Sequence, residues 1–356
     1  MKITFLIGNG FDINLGLKTQ YTDFYDTYIE SNKDLGVAEN IKKFCGLIEN
    51  NYKTWSDFEM AFASNAFGTK QDVRDILYDF STKFSEYLVK QTQLCNYDDK
   101  GIPEKFKDFL VNGYKHLEDN DRQIIDDKYN VKEDFSINFI NFNYTDTLDM
   151  LIKTYKRSKS GSDIIKEFSI SPKYYHRLGK VINIHGTLKN YIIIAIDSIE
   201  QLSDNNLKND PNIAKYCVKS KINADNGNIK VENDFIDMIN SSSIIYAYGI
   251  AFGESDKSRW GVVKKWLEAS SGHKLIIYKF GADFKKHNGI YRRMRLDAIE
   301  ESKDEYLNKL GFDKSEYEAY YNQIFVIDSA DVLKFKLIPN DPGTKEDDEN
   351  ALAVST

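Results

Sequence analysis

Cysteine and long apolar runs are scarce in this chain, and both absences exclude classes of protein. The three cysteines, Cys45, Cys95 and Cys217, are odd in number and widely spaced, so they form neither a disulfide framework nor a CxxC pair. No apolar stretch approaches the roughly 20 residues that a membrane helix needs. The amino terminus lacks the basic region and cleavage site of a signal peptide. We therefore expect a cytoplasmic protein with reduced cysteines and no membrane association.

An excess of positive charge is also missing. The chain carries 48 basic and 55 acidic residues, so its net charge of −7 does not favour nucleic-acid binding. A local basic patch in the lysine- and arginine-rich stretch 257–295 stays open as an alternative. With 356 residues, of which 41% are hydrophobic, the chain can build a sizeable core in one large domain or two ordinary ones.

The opening stretch of the chain has the pattern of a nucleotide-binding turn. An apolar run from Ile3 to Ile7 breaks abruptly into Gly8-Asn9-Gly10, which predicts a strand buried on both faces of a parallel sheet. The two glycines permit positive φ and close approach of another group. A helix should follow, and the residues that could cap its start are Asp12, Asn14 and Thr19. Free N–H groups at such a helix start suit a pyrophosphate.

The alternative is that these glycines only make a tight turn between a strand and a helix. The full dinucleotide fingerprint requires glycine at its first, third and sixth positions, but the sixth position here is Ile13 and the next glycine is Gly16. The position of the motif favours nucleotide binding, because a strand that starts at residue 2 commonly opens a doubly wound sheet.

Residues 19–131 have a helical pattern that is too long for one crossover between strands. Apolar residues recur at helical spacing, and the aromatic stripe that they form indicates a core more than a base-stacking surface. The stretch Trp55–Glu59 favours a helix start capped by Ser56 or Asp57, with a role for Glu59 in the site as the alternative.

Two asparagines follow the next predicted strand, which covers residues 135–143 and leads into a helix that starts at Thr145 or Asp146. Asn141 and Asn143 are two residues apart, so both side chains should face one side at the carboxyl end of the strand. Ligands of open α/β sheets bind at that end. An amide side chain suits a ribose hydroxyl or a carboxamide, although asparagines are also common in turns.

A histidine stands at the end of the predicted strand 180–185. His185 is placed to act as a general base, and a structural histidine is the alternative. No second histidine, cysteine or acidic residue stands at the spacing of a zinc site, so we expect no metal.

The remaining strands are predicted at 191–197, 242–249, 274–280 and 325–328. After Gly249, a glycine loop and a helix capped by Ser255 or Asp256 repeat the anion-binding pattern of the opening motif. The polar stretch from about 199 to 240 is predicted to be an irregular cap or substrate loop.

The predicted fold is α/β and Rossmann-like, with a mostly parallel sheet, helices on both faces and a large helical insertion after the first strand. We predict a single domain over residues 1–338. Its core comprises 1–18 and 132–335, its insertion about 19–131 and its cap about 199–240. Residues 339–356 are predicted to form a disordered tail.

Four segments together resemble a known family. "LIGNGFDINLGLKTQYTDFY", "NFNYTDTL", "IHGTL" and "YGIAFGESD" occur in this order and are similar to motifs of the AbiH family of bacterial anti-phage abortive-infection proteins. The stretch Trp55–Glu59 also fits that family. The family in turn is similar to the sirtuin-like NAD-binding fold, so the resemblance implies that NAD is the ligand.

The resemblance also implies a role for each matching residue. Gly8 and Gly10 match the turn that holds the dinucleotide, and Gly249 matches a glycine on the adenosine side. Asn143 matches the asparagine that contacts ribose or nicotinamide, and His185 matches the base. This chain differs from the sirtuin and family patterns in three ways. The four zinc cysteines of sirtuin deacylases are missing, which argues against protein deacylation. An aspartate of the sirtuin pattern falls on Thr145, and a serine of the late motif is Ala251.

The first functional hypothesis is an abortive-infection effector that hydrolyses NAD at its nicotinamide–ribose bond. Its catalytic residues would be Asn143, His185 and Asp146, with Asp12 as an alternative to Asp146 for stabilising positive charge on the ribose. The other residues expected to contact NAD are Gly8, Asn9, Gly10, Phe11, Asp12, Thr19, Asn141, Tyr144, Gly186, Gly249, Ser255 and Asp256. The alternatives are a non-catalytic sensor of NAD or ADP-ribose and a nucleic-acid effector. A homo-oligomer and a phage trigger or partner defence protein are the further partners considered.

Overall fold

A computed structural model of the chain describes residues 1–51, 57–129, 133–168, 174–280, 292–329 and 332–338. Its nine described strands are β1 (Lys2–Ile7), β2 (Phe135–Asn141), β3 (Ile164–Phe168), β4 (Tyr174–Asn183), β5 (Gly186–Thr187), β6 (Tyr191–Ile192), β7 (Ile244–Tyr248), β8 (Lys274–Lys279) and β9 (Ile324–Asp328). Seven of them form one sheet in the order β3-β4-β2-β1-β7-β8-β9.

The sheet is parallel except for the edge strand β3, which runs antiparallel to β4. β1 lies between β2 and β7, and Ile3 is level with Ile137 on one side and Ile244 on the other. The chain builds outward from β1 through β2 and β4, then returns to the other side of β1 through β7. The carboxyl ends of β1 and β7 therefore flank the point where the strand order reverses, which is where open α/β sheets bind ligands.

The helices pack on both faces of the sheet. The described helices are α1 (Asn9–Asn14), α2 (Tyr21–Glu30), α3 (Glu39–Asn51), α4 (Phe58–Asn65), α5 (Lys70–Gln93), α6 (Ile102–Asn112), α7 (Asp119–Tyr129), α8 (Thr147–Ser158), α9 (Asn205–Lys208), α10 (Ala214–Cys217), α11 (Lys219–Asp225), α12 (Ile229–Asn240), α13 (Lys257–Ala269), α14 (Arg292–Lys309) and α15 (Tyr317–Tyr320). Because neighbouring side chains of a strand point to opposite faces, Phe5 packs with α6 and α8 while Leu6 packs with α12, α13 and α14. The predicted Rossmann-like α/β fold is confirmed.

Helices α2 to α5 form a separate aromatic core. Phe24, Phe44, Phe58 and Phe80 are buried together, and the rings of Phe58 and Phe80 stack with their centroids 3.8 Å apart. The same core includes buried residues of the segment 194–218. The prediction that the aromatic stripe is core is therefore confirmed, and we call this unit the helical layer.

Two predicted segments differ from the structure. Instead of one buried strand over 191–197, β6 pairs only with β5, and Ile196 forms a single bridge with Val218. The turn at Gly186, where φ is +77°, directs the chain back on itself, so this segment never joins the main sheet. The stretch 199–240, predicted to be irregular, contains α9 to α12, because its polar residues cap and cover short helices and the apolar face of α12 packs on the sheet.

The predicted helix caps at the start of the chain are also wrong. α1 begins directly after Gly8 and has no side-chain cap, while α2 begins after Gln20, whose side chain forms a capping box with Asp23. Asp12 lies inside α1, Asn14 ends it, and Thr19 precedes the cap of α2. Trp55, Ser56 and the predicted disordered tail lie outside the described residues.

Candidate functional site

A cavity of about 390 Å³ opens at the carboxyl edge of the sheet, beside the ends of β1, β2, β7 and β8. This volume is typical of a pocket for a small molecule. The helical layer supplies one wall through α2, α4 and α5, and α14 lines the end next to β8.

Most of the predicted site residues meet at this cavity. Those that line it are Gly8, Asn9, Gly10, Asp12, Thr19, Asn143, Tyr144, His185, Gly249, Ser255 and Asp256. Four predicted residues are not part of its lining, namely Phe11, Asn141, Asp146 and Gly186.

Each of these four has a structural partner instead. Phe11 packs in the main core, and Gly186 is the first residue of β5, where it pairs with Ile192 of β6. Asn141 is buried and donates to the side chain of Asn183 at 2.9 Å, while its own oxygen accepts from the backbone N–H of Asn143. β2 ends at Asn141, so the alternation that was expected to place both asparagines on one side no longer applies. Asp146 precedes α8, and its carboxylate pairs with Lys189 at 2.8 Å.

The glycines of the opening motif allow two backbone segments to touch. The N–H groups of Gly8 and Gly10 donate to the carbonyls of Tyr248 and Gly249 at 2.9 and 3.2 Å. A Cβ on Gly10 would lie 2.6 Å from the Cα of Gly249. In this conformation, the two N–H groups that were predicted to bind pyrophosphate already donate to backbone carbonyls at the end of β7.

Gly249 gives a direct test of this contact. Its φ is +67°, and a Cβ there would lie 2.6 Å from the backbone nitrogen of Phe11. Gly249→Ala should lower the free energy of unfolding by about 2 kcal/mol or more, because it combines left-handed strain with backbone overlap. Gly261→Ala is the control, since Gly261 lies inside α13 with open space around it. This substitution should raise the free energy of unfolding by up to about 1 kcal/mol. Equal stabilities of the two variants in urea denaturation would contradict the contact.

His185 lies at the cavity but has no free ring nitrogen. Its Nδ1 is 3.1 Å from the carbonyl oxygen of Phe142, and its Nε2 is 3.0 Å from the Oδ1 of Asp256. Burial lowers the pKa of His185, while the Asp256 carboxylate opposes that shift. Because both nitrogens are directed at protein oxygens, this geometry does not support the predicted general-base role.

Asp256 is the centre of a buried charge network. Besides His185, it contacts Lys219 at 3.0 Å and Arg259 at 2.6 Å, and Arg259 also binds Glu232. Although burial raises the pKa of Asp256, these positively charged or polar neighbours lower it far below its ordinary value. The network joins α11, α12 and α13 beside the cavity.

The start of α13, predicted as a second anion site, already has acidic partners. Asp256 is its N-cap residue, and Asp197 accepts hydrogen bonds from the N–H and the hydroxyl of Ser258 at 2.7 and 2.6 Å. The carboxylate of Asp197 therefore takes the place that the sequence pattern assigned to a bound anion.

Asp12 lines the cavity, and one oxygen of its buried carboxylate has no hydrogen-bond partner among the described residues. Its side chain is 1% exposed, and its Oδ2 accepts a hydrogen bond from the hydroxyl of Thr145. Its Oδ1 is buried and has no hydrogen-bond partner among the described residues. Burial raises the pKa of Asp12 to about 7, against the opposing effect of the nearby polar side chains of Thr145, Thr147 and Asn143. A ligand that donates a hydrogen bond to Oδ1 would supply the missing partner of this carboxylate.

Glu59 is a second buried carboxylate at the same cavity. Its Oε1 accepts from the hydroxyls of Tyr21 at 3.0 Å and Tyr144 at 3.4 Å, and those hydroxyls are themselves 3.0 Å apart. Burial raises the pKa of Glu59 to about 8, while Lys219 opposes the shift. The expected capped helix start is confirmed at Asp57, whose carboxylate accepts from the N–H of Met60. Glu59 lies two residues after Asp57 and lines the cavity, so its role in the site stays a prediction.

Sequence reasoning left Glu59 as an alternative and did not single out Tyr21. One signal was available, because Glu59 is the only charged residue of α4 and stands among apolar residues from Phe58 to Ala63. Acidic side chains are rarely buried unless they are paired or functional. No such signal marks Tyr21, which resembles any other aromatic residue of the helical layer.

The part of the chain that the structure describes contains no group of three histidine, cysteine or acidic side chains able to hold a metal ion. Within the same residues, every helix is too short or too polar to cross a bilayer.

Comparison with known proteins identifies a family. The family model described as AbiH, bacteriophage abortive infection AbiH, matches residues 4–278, which is most of the chain and includes most of β1 together with Glu59, Asn143, His185 and Asp256. A search of curated proteins finds no match.

Proposed function

The chain belongs to the bacteriophage abortive infection AbiH family and so to phage defence, and we propose that within this role it binds NAD and hydrolyses the nicotinamide–ribose bond. The observation that carries the proposal is the unpaired Oδ1 of Asp12, buried at the cavity. NAD can supply the missing donor from a ribose hydroxyl or from its carboxamide.

The proposed reaction breaks the bond between C1′ of the ribose and the ring nitrogen of nicotinamide. The bonding electrons pass to that nitrogen, so nicotinamide leaves as a neutral molecule and positive charge develops on the ribose. Water then adds to C1′ and gives up a proton. The products are nicotinamide, ADP-ribose and one proton.

Two carboxylates and an amide have suitable positions for these steps. Ionised Asp12 would stabilise the positive charge on the ribose, because an opposite charge in a buried site acts strongly. Glu59, held by Tyr21 and Tyr144, would accept the proton of the attacking water. Asn143, which lines the cavity on the sheet side together with Asp12, would orient the ribose.

The pH dependence follows from the pKa values of these groups. Asp12 and Glu59 act as anions, and burial raises their pKa values to about 7 and about 8. Below these values each group is protonated. Because both must be ionised, kcat/KM should rise by more than about tenfold between pH 6 and pH 7, where both groups titrate, and by about tenfold between pH 7 and pH 8. A rate that falls over this range would contradict the assigned roles.

The direct test is to incubate the purified protein with NAD and to quantify nicotinamide and ADP-ribose by chromatography. The same assay on extracts of expressing cells before and after phage infection tests for activation by infection. We expect equal amounts of the two products. Binding without turnover in both settings would favour a sensor that uses the same cavity, and absence of binding would overturn the proposal.

A further inference from the structure

The end of the cavity next to β8 has a different chemistry from the end that holds Asp12 and Glu59. Lys279 is the last residue of β8, while Glu305 and Lys309 lie one turn apart on α14, and all three line the cavity. The Nζ atoms of Lys279 and Lys309 each lie 2.7 Å from a different oxygen of Glu305. Two ammonium groups therefore share one carboxylate.

This arrangement leaves a net positive charge with free donors. Each ammonium carries three N–H groups. Lys309 directs one of them to Glu305, and Lys279 directs one to Glu305 and one to the hydroxyl of Ser302 at 3.1 Å. Lys279 and Lys309 are about a fifth and a third exposed, so their remaining hydrogens can reach a molecule in the cavity.

The opposite end of the cavity is acidic. Asp12, Asp57 and Glu59 line it, and the amides of Gly8 and Gly10 in the glycine turn already donate to backbone carbonyls. An anionic group of a ligand is repelled by these carboxylates and attracted by the lysines. β8 lies two strands from β1, which places the two ends roughly 10 Å apart.

We propose that Lys279 and Lys309 form the phosphate subsite of this cavity and bind the diphosphate of a nucleoside diphosphate moiety, a step that rests on the proposed function because NAD contains that moiety. Glu305 acts as an internal substitute for the phosphates. It holds the two lysines in place in the free protein and competes with the ligand for them.

The test uses ADP and adenosine as probes in isothermal titration calorimetry at low and high salt. The wild-type protein should bind ADP at least tenfold more tightly than adenosine, and salt should reduce the difference, because the lysines contact only the phosphates. Lys279→Met and Lys309→Met should each weaken ADP binding tenfold or more and leave adenosine binding unchanged. Lys107→Met is the matched control, since Lys107 pairs with Glu104 on α6, outside the cavity.

A variant that is expected to bind ADP more tightly distinguishes a change in the subsite from a loss of folding. Glu305→Gln removes the competing negative charge and should tighten ADP binding severalfold. Equal affinity for ADP and adenosine, no binding of either, or unchanged ADP binding in both lysine variants would overturn the subsite.

The outcomes also separate this inference from the proposed reaction. If ADP binds through the lysines but NAD is not hydrolysed, the subsite stands and the reaction fails. If NAD is hydrolysed and both lysine variants keep the wild-type KM, the reaction stands and the subsite fails.

Discussion

Replacing Asp12 with asparagine should lower the rate of nicotinamide release from NAD by a hundredfold or more. The substitution keeps the size of the side chain and an oxygen that can accept from Thr145, but it removes the negative charge that would face the ribose. Loss of a group that stabilises transition-state charge in a buried site typically lowers kcat by about a hundredfold or more. Because the charge develops after binding, kcat should fall far more than the affinity for NAD, and the two can be measured by product formation and by calorimetry.

Asp26→Asn is the control for that experiment. Asp26 is exposed on α2 and is not part of the cavity lining, so the substitution makes the same chemical change away from the site. Its turnover should match the wild type. If Asp12→Asn retains more than a tenth of the wild-type rate, Asp12 does not carry the role given to it.

Replacing Asp256 with alanine should lower the free energy of unfolding by about 3–5 kcal/mol. The change leaves Lys219 and Arg259, whose side chains are 2% and 3% exposed, without their shared carboxylate. A buried charge that loses its partner is costly because the protein interior solvates it poorly. Urea denaturation followed by circular dichroism measures the effect.

A neighbouring acidic residue provides the comparison. Glu254 pairs with Lys257, and both side chains are well exposed, so Glu254→Ala should change stability by less than about 1 kcal/mol. If the two alanine variants are equally stable, the network around Asp256 does not hold this part of the protein together.

The sheet was predictable because its strands carry simple local signals. The runs Ile3–Ile7 and Ile244–Tyr248 are almost wholly apolar and end in glycine, as parallel strands buried on both faces require. The prediction of an irregular stretch over 199–240 was wrong because α9, α10 and α11 are only four to seven residues long. Helices of this length are too short to show helical periodicity in the sequence.

The site was predictable only where a strand ends. Asp12, Asn143 and His185 each follow a recognisable strand, so their meeting at one edge follows from parallel topology. Lys219, Glu59 and Lys309 reach the same region from helices far apart in the chain, and no local pattern fixes how those helices dock. The partners of His185 could not be foreseen for the same reason, and they decide whether its ring is available as a base.

The position of the cavity between two separately packed cores gives distant residues influence over it. Asp12 and Asn143 belong to the sheet side, while Tyr21 and Glu59 belong to the helical layer, whose interior is filled by rings such as Phe58 and Phe80. Any displacement of the helical layer relative to the sheet would therefore change the separation of Asp12 and Glu59, even if the contacts within each core stayed the same.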